Sequence, residues 1–269
     1  MVNPKTENPK GILYSRKEDQ PFQVLRYTPS EELQYFIEHF WVVEWELESG
    51  VYKQDILSHP SVQLVFEKDK TWIWGVVTGK FRRTLEGKGK VLGVRFTPGG
   101  FYPFYQSSVS TITDGVLAFD EVFDADVARL EEEIMNAANI EGSLKRVEQF
   151  LKDNLPERDE WVKKVNDIID IIMQDHCLIK VDQLVDKLDM SKRSLQRLFK
   201  WYVGISPKWA IKRFRLHEVA AKIAEAGEVK SIWPELALGL GYYDQAHFIK
   251  DFKSVVGETP VEYARSLKT

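Results

Sequence analysis

Twice in its C-terminal third the chain writes one outline: a short apolar helix, a tight turn and a second, amphipathic helix. In the first copy Val181–Leu188 is the short helix, Asp189-Met190-Ser191 the turn and Lys192–Tyr202 the second helix. Leu195, Leu198 and Phe199 recur at helical spacing and share an inward face, while Ser191 caps the helix start. In the second copy Trp233–Leu240 precedes Gly241 and Asp244 is the cap. Phe248 and Phe252 lie one turn apart on the inward face of Gln245–Val255. Between the copies Ser206-Pro207 opens, and Gly227 closes, one long helix over Ser206–Ala226. Trp161–Met173 forms a helix ahead of both. Residues 160–269 are therefore predicted to be an all-α domain with two helix-turn-helix units, 181–202 and 233–255.

Charge points the same way once the chain is divided. The 269 residues carry a formal charge of -4. From Trp161 to Thr269 there are 18 basic and 14 acidic side chains, against 19 and 27 before them. An acidic first half is joined to a basic second half, and the charge of each half governs its partners. Ser191 to His217 holds eight basic residues and no acidic one: Lys192, Arg193, Arg197, Lys200, Lys208, Lys212, Arg213 and Arg215. A merely solvated face mixes both signs. A one-signed run suits DNA phosphates, whose neutralisation releases counterions. Arg193, Gln196, Arg197 and Lys200 share the face opposite Leu195 and Leu198. Arg can pair bidentately with guanine and Gln with adenine.

The first half reads as strands. Phe40–Glu48, Val62–Glu67, Thr71–Thr78, Phe81–Leu85 and Lys90–Thr97 are short and rich in β-branched and aromatic residues. Turn signals separate them at Ser49-Gly50, Lys68-Asp69-Lys70, Gly79-Lys80, Gly87-Lys88-Gly89 and Pro98-Gly99-Gly100. A helix is expected over Ser30–Phe40 with Ser30 as its cap, a short one over Phe101–Gln106, and amphipathic ones over Asp124–Ala138 and Glu141–Leu151. Residues 1–155 are thus expected to form an α+β domain, a small antiparallel sheet folded toward a barrel or sandwich, plus helices. Asp153–Arg158 is the expected linker.

Several blocks fall in order: Met190 to Lys200 (MSKRSLQRLFK), Gly204 to Trp209 (GISPKW), Arg213 to Glu218 (RFRLHE), Leu240 to Phe248 (LGYYDQAHF), Asp251 to Lys253 and Gly257 to Tyr263 (GETPVEY). Through them Val181 to Arg265 resembles the DNA-binding domain of AraC/XylS-family transcription regulators. The resemblance implies two recognition helices in successive major grooves on one face of double-stranded DNA. It implies base-reading positions at Arg193, Gln196 and Arg197 in the first unit and at Gln245, Ala246 and Lys250 in the second. Ala246 offers only a methyl, which suits thymine. Lys192 and Lys200 are expected on phosphates, as are Ser191 and Lys208. His247 either donates to a phosphate or covers the turn. Asp244 and Asp251 lower the charge of the second unit, so the first is expected to supply more electrostatic affinity. Phe40-Trp41, Leu57 to Phe66, Gly93 to Gly100 and Leu117 to Phe123 resemble a sensory domain that often precedes this module. The acidic residue often found in the equivalent of Ser58–Ser61 is missing.

Other chemistries find little support. His39, His59, His176, His217 and His247 make no metal-binding spacing, and the His-x-His of a metal cupin is absent. Neither a metal nor a cofactor is expected. Cys177 is the only cysteine; a buried inert thiol is the expected reading, with His176 too close in sequence to act as its base. An enzyme fused to a DNA-targeting module is the alternative, without a nucleophile–base pair to carry it. A constitutive regulator that senses nothing is the other. The polar N-terminus and the absence of a long apolar run place the expected address in the cytoplasm, away from membranes. The aromatics of the first half are core residues or the lining of a small-molecule pocket, with Trp41, Trp72, Trp74, Arg95 and Phe96 as candidates. Arg95 either binds an anion there or pairs with a carboxylate. RNA polymerase and a second copy of the chain are further candidate partners.

Overall fold

A computed structural model describes residues 21–56, 59–226, 238–239, 242 and 244–266. In the first half six strands form one sheet: β1 (Phe22–Tyr27), β2 (Ile37–Ile56), β3 (Gln63–Phe66), β4 (Trp72–Trp74), β5 (Phe81–Phe96) and β6 (Val116–Ala118). Their order is β1-β2-β5-β3-β4-β6, and neighbours run antiparallel. The spine is the ribbon of β2 and β5, paired from Ile37↔Phe96 to Ile56↔Phe81.

Two expectations are corrected here. Ser49-Gly50 and Gly87-Lys88-Gly89 do not end strands; both strands run through them, and the register shifts between Glu46 and Val51. Gly50 and Gly87 take φ of 84° and 54°, so they shape an irregularity in the ribbon. A glycine signal is the same for a bulge as for a turn. The helix over Ser30–Phe40 is likewise absent. Residues 31–36 are turns, and β2 begins at Ile37. Glu148 takes the Ser30 amide at 2.8 Å, and the Ser30 hydroxyl is buried with no partner among the described residues, so it caps nothing. Burying Phe36, Ile37 and Phe40 outweighs the local helix signal.

Alternation along the strands gives the sheet two faces. One presents Phe40, Leu64, Phe66, Leu92, Val94 and Phe96 to the main core. The short α1 (Tyr102–Tyr105) and the helices α2 (Val127–Met135) and α3 (Ile140–Asp153) belong to this half. Asp126 and Asn139 cap α2 and α3 by accepting from the amides of Arg129 and Gly142. Leu130, Ile134, Leu144, Val147 and Leu151 form their buried stripe.

The second half contains α4 (Glu160–Gln174), α5 (Val181–Val185), α6 (Lys192–Tyr202), α7 (Pro207–Ala226), α8 (Gln245–Val256) and α9 (Pro260–Ser266). Most of the first helix of the second unit, expected over Trp233–Leu240, and the turn residue Gly241 lie outside the described residues. The N-terminal half of α7 joins α4, α5 and α6 in one core, and its C-terminal half joins α8 and α9 in another. The two halves of the chain are docked. Val76 buries itself in the core of the first helical unit. Gly99 N donates to Asn166 of α4 at 3.1 Å, and Thr113 Oγ1 donates to the Gly204 carbonyl at 2.6 Å. Gly204 has φ of 89°, and a Cβ there would sit 2.9 Å from Thr113 Oγ1, so both backbone and space require glycine.

Candidate functional site

The exposed face of α6 follows from its buried one. Leu195, Leu198 and Phe199 face the core, which turns Lys192, Arg193, Gln196, Arg197 and Lys200 to solvent. Ser191 Oγ caps the helix by accepting from Ser194 N at 3.1 Å. Lys192 reaches back to Asp182 of α5 at 2.7 Å. Arg193, Arg197, Lys200 and Lys208 are exposed and make no ion pair among the described residues. On α8 the buried Phe248 and Phe252 leave Gln245, Ala246, His247 and Lys250 exposed. Asp244 caps this helix through Ala246 N at 2.9 Å. Asp251 is engaged inside the domain, by Lys212 at 2.6 Å, Tyr242 at 2.8 Å and His247 at 3.5 Å. Those contacts hold its carboxyl below its ordinary range despite the cost of burial.

The basic run of eight therefore divides. Arg213 and Arg215 are buried, at 1% and 3% exposure, and do not face DNA. Each serves a helix end. Arg215 donates to the Ile172 carbonyl near the end of α4 and pairs with Glu218 at 2.6 Å. Arg213 donates to the Val255 carbonyl near the end of α8 at 3.5 Å. One long helix thus grips both units through guanidinium groups at carbonyl ends. The sequence does not separate these arginines from the surface ones, because sign alone carries no depth. Arg215→Ala is expected to cost about 2 kcal/mol in urea unfolding by stranding the buried Ile172 carbonyl and leaving Glu218 with His176 as its partner. It would leave the salt dependence of DNA binding unchanged; a phosphate role would reduce that dependence instead.

The other face of the sheet bends around a cavity of about 410 Å³. Trp41, Trp72, Trp74 and Arg95 line it as expected from the sequence. Phe96 does not: it points to the opposite face and is fully buried in the main core, as alternation from Arg95 requires. Trp41 and Trp45 lie across Gly93 and Gly89 of β5, their partners in the register. A Cβ on either glycine would fall 2.0 to 2.1 Å from an indole carbon. Trp41 Nε1 donates to Gln63 at 2.9 Å, which fixes the ring as cavity floor. Polar residues not foreseen on the wall include Arg26, His39, His59, Ser61 and Gln63. Strand alternation from Trp41 marks His39, and from Val65 marks Gln63; no local signal marks His59. Arg95 is 8% exposed, with Nε 3.3 Å from Glu38 and 3.4 Å from Ser61.

His59 also touches the second half. Its ring lies 5.9 Å from that of Phe214 and 5.7 Å from that of His217, both on α7. Burial holds His217 down at about 3, with Arg213 and Arg95 adding to the effect. Burial, then Arg95, His217, Arg213 and Arg26, holds His59 well below its ordinary value. Both rings are neutral in the folded chain and gain protons on unfolding once pH falls below the ordinary 6.5. Stability present above that pH is lost as pH falls toward about 3. The melting temperature is expected to drop over this window, and His217→Gln to make the slope shallower. An unchanged slope would place the titrating groups elsewhere.

Cys177 is exposed, against the expected buried thiol. No group of three or more His, Cys, Asp or Glu suited to a metal occurs among the described residues. No described helix is long and apolar enough to cross a membrane.

With this geometry in view, the relatives place the chain. Residues 184–266 match the family model of a helix-turn-helix domain, and residues 25–118 match a domain of unknown function (DUF6597). The probable transcription factor PqrA of Proteus vulgaris is 33% identical over 102 residues, which is 37% of this chain and 81% of that protein. A XylDLEGF operon transcriptional activator of Pseudomonas putida is 28% identical over 127 residues, 47% of this chain and 32% of that protein. The chain thus spans about a third of the length of that activator. Among solved structures, ToxT from Vibrio cholerae aligns with 93% of this chain and 100% of its own at 14% identity. Its TM-score of 0.36 is too low to speak for a shared arrangement. The chain belongs to the AraC/XylS family of transcriptional regulators.

Proposed function

We propose that the chain is a sequence-specific DNA-binding regulator of transcription, with a first half (residues 1–155) that senses a small molecule and a second half (residues 160–269) that reads DNA. Arg193, Gln196 and Arg197 on α6, with Gln245, Ala246 and Lys250 on α8, face base edges in successive major grooves. Ser191, Lys192, Lys200, Lys208 and His247 hold phosphates. The carrying observation is the solvent face of α6, where Arg193, Arg197 and Lys200 stand exposed with no ion pair among the described residues. A surface that leaves one sign uncompensated beside a glutamine, on a capped helix, is built for a polyanion with readable edges. The regulator acts in the cytoplasm, where it meets RNA polymerase, and a second copy of the chain would double the half-sites it reads.

The small molecule enters the tryptophan-lined cavity. Its size, its concave apolar wall and its few convergent polar groups are those of a ligand site. Selection of bound duplexes from a random pool tests the DNA half. It should enrich a two-part motif with centres about ten base pairs apart. A pool that stays random after repeated rounds would overturn the reading.

A further inference from the structure

We propose that the cavity receives an organic anion, its apolar body against the tryptophans and its single acidic group against Arg95, beside the His59 wall that backs onto α7. The proposal rests on the cavity being the small-molecule site.

The wall is not uniform. Trp41, Trp45, Trp72, Trp74 and Val65 give it broad apolar surfaces. Arg26, His39, His59, Ser61 and Gln63 gather with Arg95 in one region. His39 and Gln63 are the register neighbours of Arg95 on either side, Ser61 lies 3.4 Å from its Nε, and Arg26 pairs in register with Trp41. The one acidic residue on the cavity wall among the described residues is Glu67, and it is closed on Arg83 at 2.5 Å. Glu38 holds Arg95 from outside the lining, at the register shift between Ile37 and His39.

Arg95 is suited to an incoming acid. Its contacts to Ser61 and Glu38 are both made by Nε. The paired terminal nitrogens of a guanidinium match a carboxylate or similar group in two parallel hydrogen bonds. The surroundings are positive as well. Arg95, Arg213 and Arg26 all act on His59 to keep its ring uncharged, and Arg95 and Arg213 do the same to His217. Buried positive charge gains more from an added anion than exposed charge does, because water screens it less. The position has a consequence. His59 forms cavity wall on one side and touches Phe214 and His217 on the other. An acidic group at Arg95 therefore bears on α7, the helix that grips both DNA-reading units.

Calorimetric titration of the full chain near neutral pH tests this with two matched pairs: indoleacetate against tryptophol, and phenylbutyrate against phenylbutanol. At least one acid is expected to bind about tenfold or more tightly than its alcohol, the size of a charge-assisted contact. Arg95→Gln should bring that ratio within about threefold. Alcohol binding unchanged in the variant shows the cavity intact, and the unsubstituted chain gives the acid-to-alcohol ratio without any variant. The same acid, and not its alcohol, should change affinity for the selected DNA. Equal binding of acid and alcohol overturns the anion site and leaves the small-molecule reading standing. Binding of neither member of either pair overturns both, while the DNA-binding reading is scored separately by selection without ligand.

Discussion

Arg197→Ala is expected to weaken binding to a selected DNA site about thirtyfold, with no change in melting temperature. The side chain is exposed on α6, and no ion pair among the described residues would be lost with it. Its loss therefore acts on the complex and not on the fold. A bidentate contact to guanine discriminates by about 1–3 kcal/mol, and each 1.4 kcal/mol is about tenfold in affinity. Preference at one position of the motif should relax along with affinity. Lys208→Ala provides the contrast. A phosphate contact carries no sequence, so its loss should weaken all duplexes alike and lower the salt slope by about one. If Arg197→Ala bound as tightly as the unsubstituted chain, α6 would not be the reading helix.

Gly93→Val is expected to destabilise the chain by about 3 kcal/mol and to abolish small-molecule binding. A Cβ at Gly93 falls 2.0 Å from the Trp41 ring. The indole has to leave, and its hydrogen bond to Gln63 goes with it. Overpacking of this kind costs about 1–3 kcal/mol, and displacing an aromatic side chain from its seat adds to it. Gly79→Ala is the control, since an added Cβ there meets nothing within 4 Å. Denaturant unfolding separates the two. Equal midpoints would mean that Trp41 does not lie over Gly93 in solution.

How much of this was legible in the sequence depended on whether the signal was local. Helix starts were: Ser191 and Asp244 cap α6 and α8 as expected, because a cap acts over three residues. The exposed face of α6 followed from Leu195 and Leu198 for the same reason. Non-local pairing was not. Gly50 and Gly87 carry turn chemistry, yet pairing across the ribbon draws β2 and β5 straight past them. Ser30 with its following glutamates spells a helix start, but the strand that buries Ile37 and Phe40 prevails. Arg213 and Arg215 share the sign and spacing of surface cations and became buried grips only once α4 and α8 closed on α7. Four of the five residues named for the cavity lie on its wall; Phe96 fails by one step of strand alternation.

Hydroxyl-radical footprinting of the full chain on a selected duplex tests the two-groove reading most directly. Two protected patches on one face of the duplex, about one helical turn apart, are the expected result, with both lost in the presence of excess salt. Uniform cleavage at protein concentrations that saturate the duplex would contradict it.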